Sequence, residues 1–240
     1  MKTVVHKANT RGHANHGWLE AYHTFSFADY YHTDRMHFGV LRVLNDDRIA
    51  GGKGFDTHPH NNMEIITIPL SGDLKHKDSL GNSAIIKAGE IQVMSAGSGV
   101  LHSEFNPNDD KAVSLLQIWI IPNKKDVEPR YDQLSISNLK SENGLKQILS
   151  PDPNDSGVWI HQNAWFHLGE FDEASASTYI IKQKGNGLYF FVLEGEVMIK
   201  DYKLGKRAGL AITETRKVEF KTGLNTKVLL MEVPMFDIQM

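Results

Sequence analysis

The sequence lacks cysteine altogether: none of its 240 residues is one. Disulfide bridges, thiolate nucleophiles and thiolate metal ligands are therefore excluded. A bound metal ion would have to be held by histidine, aspartate or glutamate. No stretch approaches the roughly 20 apolar residues of a membrane helix, and the opening segment has no apolar run typical of a signal peptide. We therefore expect a cytoplasmic protein without membrane contact.

A strong charge of either sign is also missing. The formal net charge is -3, and the charged residues, which make up 23% of the chain, are of both signs and dispersed. Such a balance offers no electrostatic footprint for nucleic acid, although a local patch for a protein partner stays possible. Hydrophobic residues make up 40% of the chain, which is typical of a packed globular core. We expect a monomer.

Helical signals are scarce, and strand signals are frequent. Short apolar runs separated by Gly, Asn and Asp turns predict strands at residues 39–44, 64–70, 91–94 and 114–120, and again at 176–183, 187–193, 196–200, 209–213, 217–220 and 227–233. A polar stretch at residues 123–156, with prolines inside it and at its flank, interrupts this rhythm. The pattern predicts an all-β fold with two domains, residues 1–135 and 156–240, joined by a linker at 136–155.

A weak internal repeat supports the two-domain interpretation. Ile66-Thr-Ile-Pro-Leu-Ser-Gly-Asp-Leu74 and Tyr189-Phe-Phe-Val-Leu-Glu-Gly-Glu-Val197 are each an apolar strand, a Gly turn and a returning strand. Related sequences on both sides of a linker predict two related β domains. The second lacks the paired histidines of the first.

The most specific local signal is Thr57-His-Pro-His60, because the chain contains 12 histidines and two of them stand here two positions apart. In a strand, such residues point to the same face, with Cα atoms roughly 6.6–6.8 Å apart. Both imidazoles could then reach one ion at about 2.0–2.1 Å. Pro59 has no N–H to donate, so this strand should lie at an edge of its sheet.

Leu101-His-Ser-Glu104 is a second pair at the same spacing. A strand beside the first would bring His102 and Glu104 to the same point as His58 and His60. Three imidazoles and one carboxylate suit one divalent transition metal ion, which could be Fe, Ni, Zn, Mn or Cu. Four protein ligands on an octahedral ion leave two positions for water or substrate. The pattern therefore predicts an open metal site.

These residues resemble the two sequence motifs of the cupin superfamily. The first motif fits at Gly52, His58, His60 and Glu64, and its last glycine, Gly72, comes one residue late. The second motif fits at Gly89, Gly97, His102 and Asn106. Ser95 replaces its proline, and four residues rather than two separate Gly97 from His102.

These departures are similar to those of the pirin family, a branch of the cupins. The similarity extends through Arg11–Trp18, His23–Tyr30, Arg42–Asp47, Asp78–Asn82, Met94–Gly99 and Gln117–Trp119. It is closest to bacterial pirin-like proteins described as quercetin 2,3-dioxygenases. The resemblance implies a bicupin, that is, two antiparallel β-barrel cupin domains, with one metal in the N-terminal barrel and none in the C-terminal one.

Carried over residue by residue, the resemblance implies that the metal ligands are His58, His60, His102 and Glu104. Glu64 occupies the usual cupin ligand position, but in pirins the carboxylate comes from the second motif, so we expect Glu64 to be structural. Glu104 would also act as a catalytic proton acceptor. The isolated histidines His161 and His167 agree with a C-terminal domain without metal.

Several other residues have two interpretations each. His76 is either solvated or on a sheet face, or else it lies at the pocket as a ligand or proton shuttle. Gln92 and Met94 either line the pocket or pack in the core, and Phe25 and Phe27 are core residues unless one lines an aromatic pocket. The N-terminal histidines, which we expect to make structural hydrogen bonds, are His13, His16 and His23.

The resemblance implies an oxidoreductase that opens the ring of a flavonol such as quercetin with dioxygen and releases carbon monoxide. The alternative is a non-enzymatic regulatory protein, in which the same metal site acts on a transcription factor or a metabolic enzyme. A metal that serves stability alone is a third interpretation. An enzyme needs a roomy pocket connected to solvent, of about 300 Å³ or more.

Overall fold

The apolar runs of the sequence form strands in the computed structural model, which describes residues 1–235. The described chain contains 23 strands, two short 3-10 helices at Ala8–Thr10 and Ile136–Asn138, and no α-helix. No helix within residues 1–235 is long and apolar enough to cross a membrane. The all-β prediction is confirmed, and each strand predicted above lies at the expected place to within a few residues.

The strands of the first 135 residues are β1 (Lys2–His6), β2 (Gly12–Asn15), β3 (Leu19–His23), β4 (Leu41–Ile49), β5 (Gly54–His60), β6 (Glu64–Ser71), β7 (Asp73–Asp78), β8 (Ser83–Lys87), β9 (Glu90–Ser95), β10 (Val100–Phe105), β11 (Val113–Ile120) and β12 (Arg130–Ser135). Those that follow are β13 (Ser141–Glu142), β14 (Leu145–Ser150), β15 (Val158–Trp159), β16 (Trp165–Phe171), β17 (Ser175–Ile180), β18 (Asn186–Glu194), β19 (Glu196–Ile199), β20 (Tyr202–Gly205), β21 (Gly209–Thr213), β22 (Lys217–Thr222) and β23 (Thr226–Pro234).

Each half of the chain builds one large and one small sheet. In the first half, a seven-stranded sheet has the order β12-β9-β6-β11-β4-β3-β2, and a four-stranded sheet has the order β5-β10-β7-β8. In the second half, the large sheet runs β1-β21-β18-β23-β16-β14-β13, with β15 beside β14, and the small one runs β17-β22-β19-β20. Every pair is antiparallel except β14 with β15. The two halves therefore repeat one architecture.

The main hydrophobic core lies between the two large sheets and contains residues from both halves. Strand β18 shows how the sequence produces it. Tyr189 and Phe191 belong to this shared core, whereas Leu188, Phe190 and Val192 belong to the core inside the second half. Because side chains alternate in a strand, a continuous apolar run buries both faces. Each such side chain contributes roughly 1.5–3 kcal/mol when fully buried.

The two hairpins of the internal repeat are equivalent in the structure. Gly72 joins β6 to β7 with a φ of 74°, and Gly195 joins β18 to β19 with a φ of 76°. A side chain at Gly195 would also contact the backbone and side chain of Thr226. Glycine adopts this left-handed conformation without steric cost, which explains why both repeats carry it at the turn.

The chain crosses between the halves at places that the sequence does not reveal. The first strand, β1, pairs with β21 in the sheet of the second half. Strand β14 lies inside the stretch that we interpret as a linker, residues 136–155, and pairs with β16. The proposed domain boundaries stay a prediction, and residues 236–240 of the second domain lie outside the described chain.

Candidate metal centre

The histidine pairs lie on two neighbouring strands. Strand β5 carries His58 and His60, strand β10 carries His102, and the antiparallel register places His102 directly opposite His58. Strand β5 is at the edge of its four-stranded sheet, as the proline between the two histidines predicts. The sequence spacing and the strand register together bring the three imidazoles to one face.

The three imidazoles converge closely enough to share one ion. Their ring centroids are 4.9 Å apart for His58 and His60, 4.4 Å for His58 and His102, and 4.9 Å for His60 and His102. One nitrogen from each ring lies within 4.8 Å of the other two. The Nδ1 of His58 donates to the carbonyl oxygen of Asp56 at 2.7 Å. This hydrogen bond leaves Nε2 of His58 as the free lone pair.

Glu104 lies two residues beyond His102 on β10 and therefore on the same face of the strand. The extra residue of the β-bulge at this point belongs to β5, because β10 keeps a continuous register with β7. Glu104 faces the interior and is 4% exposed. Its carboxylate accepts hydrogen bonds from Gln117 Nε2, at 3.0 Å to Oε2 and 3.3 Å to Oε1, and from Thr67 Oγ1 at 3.4 Å. Thr67 on β6 and Gln117 on β11 therefore fix the position of this carboxylate.

Glu104 and His102 also form a second group with His76, in which one ligand atom from each lies within 4.8 Å of the others. His76 is fully buried rather than solvated, and its Nε2 lies 3.0 Å from Asp78 Oδ2. Asn82 Nδ2 donates to the same carboxylate, at 2.9 Å to Oδ2. The rings of His76 and Tyr131 lie 4.8 Å apart. His76 is thus fixed in place beside Glu104.

Burial sets the protonation of these groups. It lowers the pKa of His102 to about 3, with electrostatic repulsion from the nearby rings of His58, His60 and His76 as a further cause. Burial and the charge of His58 lower the pKa of His60 to about 4. Both imidazoles are therefore neutral near pH 7, which is the form that binds metal ions. Burial raises the pKa of Glu104, and His76 and Gln117 oppose that rise.

The donor set fits a metal ion. His102 is 2% exposed, and neither of its ring nitrogens has a hydrogen-bond partner within residues 1–235. Burying a polar group without a partner costs about 1–3 kcal/mol, so a ligand role accounts for an otherwise unfavourable arrangement. Neutral imidazole and carboxylate donors suit Fe(II), Ni(II), Zn(II), Mn(II) and Cu(II).

The three histidines and Glu104 line a cavity of about 530 Å³. Four aromatic side chains other than histidine also line it: Trp18, Phe27, Phe55 and Trp119. The polar lining residues outside the four candidate ligands include Asn45, Asp47 and Gln117. Burial, together with the charges of Asp46 and Glu104, raises the pKa of Asp47 to about 8. Flat walls with a few polar groups are typical of a site for an aromatic ligand.

The structure shows which of the other candidate residues line the cavity. Phe27 lines the cavity, but Phe25 does not: it packs in the shared core, 5.5 Å from the ring of Tyr189. Met94 is buried in a small cluster with Ile65, and Gln92 is buried in β9. Neither of these two residues, nor His76, lines the cavity. The pocket role considered for Phe25, Gln92, Met94 and His76 is therefore not supported.

Sequence reasoning assigned no role to Asn45, Asp47, Gln117 and Trp119. All four lie inside stretches that resemble pirins, Arg42–Asp47 and Gln117–Trp119, but a resemblance marks a stretch and not the direction of a side chain. Trp18 is a similar case.

In the second half, His167 is buried with its ring 5.0 Å from Tyr179, and His161 lies against Trp159. Both candidate metal groups within residues 1–235 belong to the first half.

Comparison with known proteins agrees with this geometry. Residues 4–120 match the family described as Pirin, and residues 147–233 match the family described as Quercetinase C-terminal cupin domain. The chain is 41% identical over 230 residues to the quercetin 2,3-dioxygenase of Escherichia coli strain K12, covering 96% of this chain and 98% of that protein. The chain belongs to the pirin family. The resemblance inferred from the sequence is confirmed, as are the cupin fold and the two domains.

Solved structures of this pirin's relatives show the same fold. The crystal structure of the bacterial pirin YhhW from Escherichia coli in complex with nickel(II) superposes with a TM-score of 0.92 at 40% identity, covering 98% of this chain and 100% of that one. A quercetin 2,3-dioxygenase from Acinetobacter baumannii gives a TM-score of 0.78 at 18% identity, covering 98% and 80%. The second likeness shows the fold alone.

Proposed function

We propose that this chain is a metal-dependent dioxygenase that cleaves flavonols such as quercetin. The observation that carries the proposal is a triad of imidazoles beside a buried carboxylate, at the wall of a cavity of about 530 Å³ that several aromatic side chains line. The quercetin 2,3-dioxygenase of Escherichia coli, at 41% identity, supports the same substrate class. The reaction would combine a flavonol with dioxygen, open its oxygen-containing ring and release carbon monoxide.

We propose that His58, His60, His102 and Glu104 hold one divalent ion. The nickel(II) bound by the related YhhW supports a transition metal. His76 lies near both His102 and Glu104, and we assign it the role of positioning the carboxylate, since its own Nε2 is engaged by Asp78.

The packing of Leu74 and Ile86 against β3, β4 and β11 supports closure of the two sheets of this half into one barrel.

The ion would supply Lewis acidity, which lowers the pKa of a bound hydroxyl group. The protein would supply the remaining functions. Glu104 accepts the hydroxyl proton of the flavonol, and Gln117 and Thr67 hold its carboxylate in position to do so. Trp18, Phe55 and Trp119 hold the flat ring system and exclude water from it.

The volume of the cavity favours the enzymatic interpretation over the regulatory one. A metal switch needs only the ion and an exposed protein-binding face, whereas an enzyme needs room for its substrate next to the ion. The volume beside the triad exceeds the roughly 300 Å³ at which small-molecule sites begin. The monomeric state stays a prediction. The cytoplasmic location stays a prediction.

Glu104→Gln tests the assignment. It keeps the size of the side chain and one ligating oxygen, but removes the negative charge and the proton acceptor. The flavonol absorbance band should decay under air with the wild type, and the rate should fall about 10²- to 10⁴-fold in the variant. Metal content is measured on the same samples and should change much less. A fully active Gln variant would show that Glu104 is not the base.

A further inference from the structure

A second chamber of about 390 Å³ adjoins the metal-site cavity. The two spaces share four lining residues, Phe27, Asn45, Asp47 and Phe55. The outer walls of the chamber come from the hairpin of β2 and β3 and from the turn at residues 27–30. Because the dividing residues face both spaces, a ligand bound at the histidine triad could extend from one into the other.

A tight turn positions the partition between the two spaces. Phe27 and Tyr30 exchange two backbone hydrogen bonds, of 3.0 and 2.9 Å. Ala28, inside the turn, has a φ of 48°, in the left-handed region that residues other than glycine rarely adopt. The ring of Phe27 packs edge-on against Trp119 at 5.3 Å and tilted against His23 at 5.4 Å. The turn therefore holds the ring of Phe27 between Trp119 of the metal-site cavity and His23 of the chamber.

The chamber contains polar groups whose hydrogen bonds are not made within the described chain. Asp47 is 6% exposed, and its Oδ1 is buried without a partner. The hydroxyl of Tyr30 is likewise buried and unpartnered. By contrast, Asn45 Oδ1 is engaged by His23 Nδ1 at 2.9 Å. Buried polar groups nearly always have partners, so these two point to a ligand that both donates and accepts hydrogen bonds.

We propose that this chamber is a second subsite, which binds the hydroxylated side ring of an aromatic substrate whose chelating oxygens face the histidine triad. The inference rests on the proposed function and names the part of the substrate that the enzyme selects. A phenolic hydroxyl can donate to Asp47 and accept from Tyr30, while Phe27 and Phe55 pack on the ring. Flavonols with more side-ring hydroxyl groups should bind more tightly.

The test uses flavonols with zero, one and two hydroxyl groups on the side ring. Binding to the nickel(II)-loaded protein is followed without oxygen by quenching of the tryptophan fluorescence, since Trp18 and Trp119 line the first cavity. Turnover is followed separately under air. Tyr30→Phe removes only the unpartnered hydroxyl, and Asp47→Leu replaces the unpartnered carboxyl with an apolar group. Tyr22→Phe is the matched control, because its hydroxyl contacts Glu20 outside the chamber.

We expect the wild type to bind the dihydroxylated flavonol at least about 10-fold more tightly than the unsubstituted one. Each chamber variant should reduce that ratio by about 3- to 10-fold, and the Tyr22→Phe control should retain it. Equal ratios in wild type and chamber variants would overturn the inference. Loss of the ratio in the variants, without turnover of any flavonol by the wild type, would support the subsite and overturn the dioxygenase assignment alone.

Discussion

Replacing Gln117 with leucine should weaken metal binding about 10- to 100-fold without removing a proposed ligand. Gln117 donates to both carboxylate oxygens of Glu104, at 3.0 and 3.3 Å. A hydrogen bond to a charged group contributes about 1.5–3 kcal/mol, and every 1.4 kcal/mol corresponds to roughly a factor of ten. Both contacts come from one amide nitrogen and count as a single hydrogen bond. Losing it therefore corresponds to about one to two powers of ten, in agreement with the effect typical of groups that orient metal ligands.

A weaker substitution and a control variant test the same prediction. Thr67→Val removes only the 3.4 Å contact, which is long for an O–H donor, so its effect should stay below about threefold. Gln133→Leu is a control in the same sheet, because Gln133 donates to Glu90 and to the carbonyl oxygen of Ile85 and not to Glu104. Nickel(II) affinity is measured by competition with a coloured chelator at pH 7. An unchanged affinity in Gln117→Leu would refute the idea that this hydrogen bond positions Glu104 as a ligand.

Three further predictions concern metal content and stability. Replacing His58 and His102 together by Ala should abolish bound metal in elemental mass spectrometry, and one remaining equivalent would contradict the ligand assignment. Burial and the charge of Lys182 lower the pKa of His167 to about 3, so the unfolded chain takes up the proton first as the pH falls. Between pH 6.5 and pH 3, His167 alone should therefore reduce the free energy of unfolding by about 1.4 kcal/mol per pH unit. Denaturant titrations of His167→Gln should show a flatter pH dependence than the wild type, and identical slopes would count against it. Gly195→Ala should destabilise by about 1–3 kcal/mol, whereas Gly205→Ala, which meets open space, should change the unfolding midpoint little.

Much of the fold follows from local sequence. Apolar runs and glycine turns predict ten of the 23 strands within residues 1–235, because those signals depend only on neighbours along the chain. The pairing of β1 with β21 joins residues about 200 positions apart, and no local signal specifies it. Strand β14 is missed for a different reason: its apolar residues, Leu145, Ile148 and Leu149, are interrupted by two polar residues and lie in a stretch dominated by proline and polar residues.

The candidate site could likewise be predicted from the sequence only in part. The spacing of His58, His60 and His102 predicts their convergence, because a strand places alternate residues on one face. The burial of His76 could also have been inferred, since Leu74 and His76 alternate with Lys75 and Lys77 along β7. The contact between Gln117 and Glu104 could not be inferred from the sequence, because it depends on how β11 packs behind β10.

The most direct test of the central claim is the stoichiometry of the reaction. Nickel(II)-loaded protein is mixed with quercetin in air-saturated buffer, and carbon monoxide release is measured together with quercetin loss and oxygen uptake. A metal-dependent flavonol dioxygenase should release one carbon monoxide for each quercetin and each dioxygen consumed, and the metal-free protein should release none. Quercetin loss without carbon monoxide, or no loss at all with the metal bound, would contradict the account.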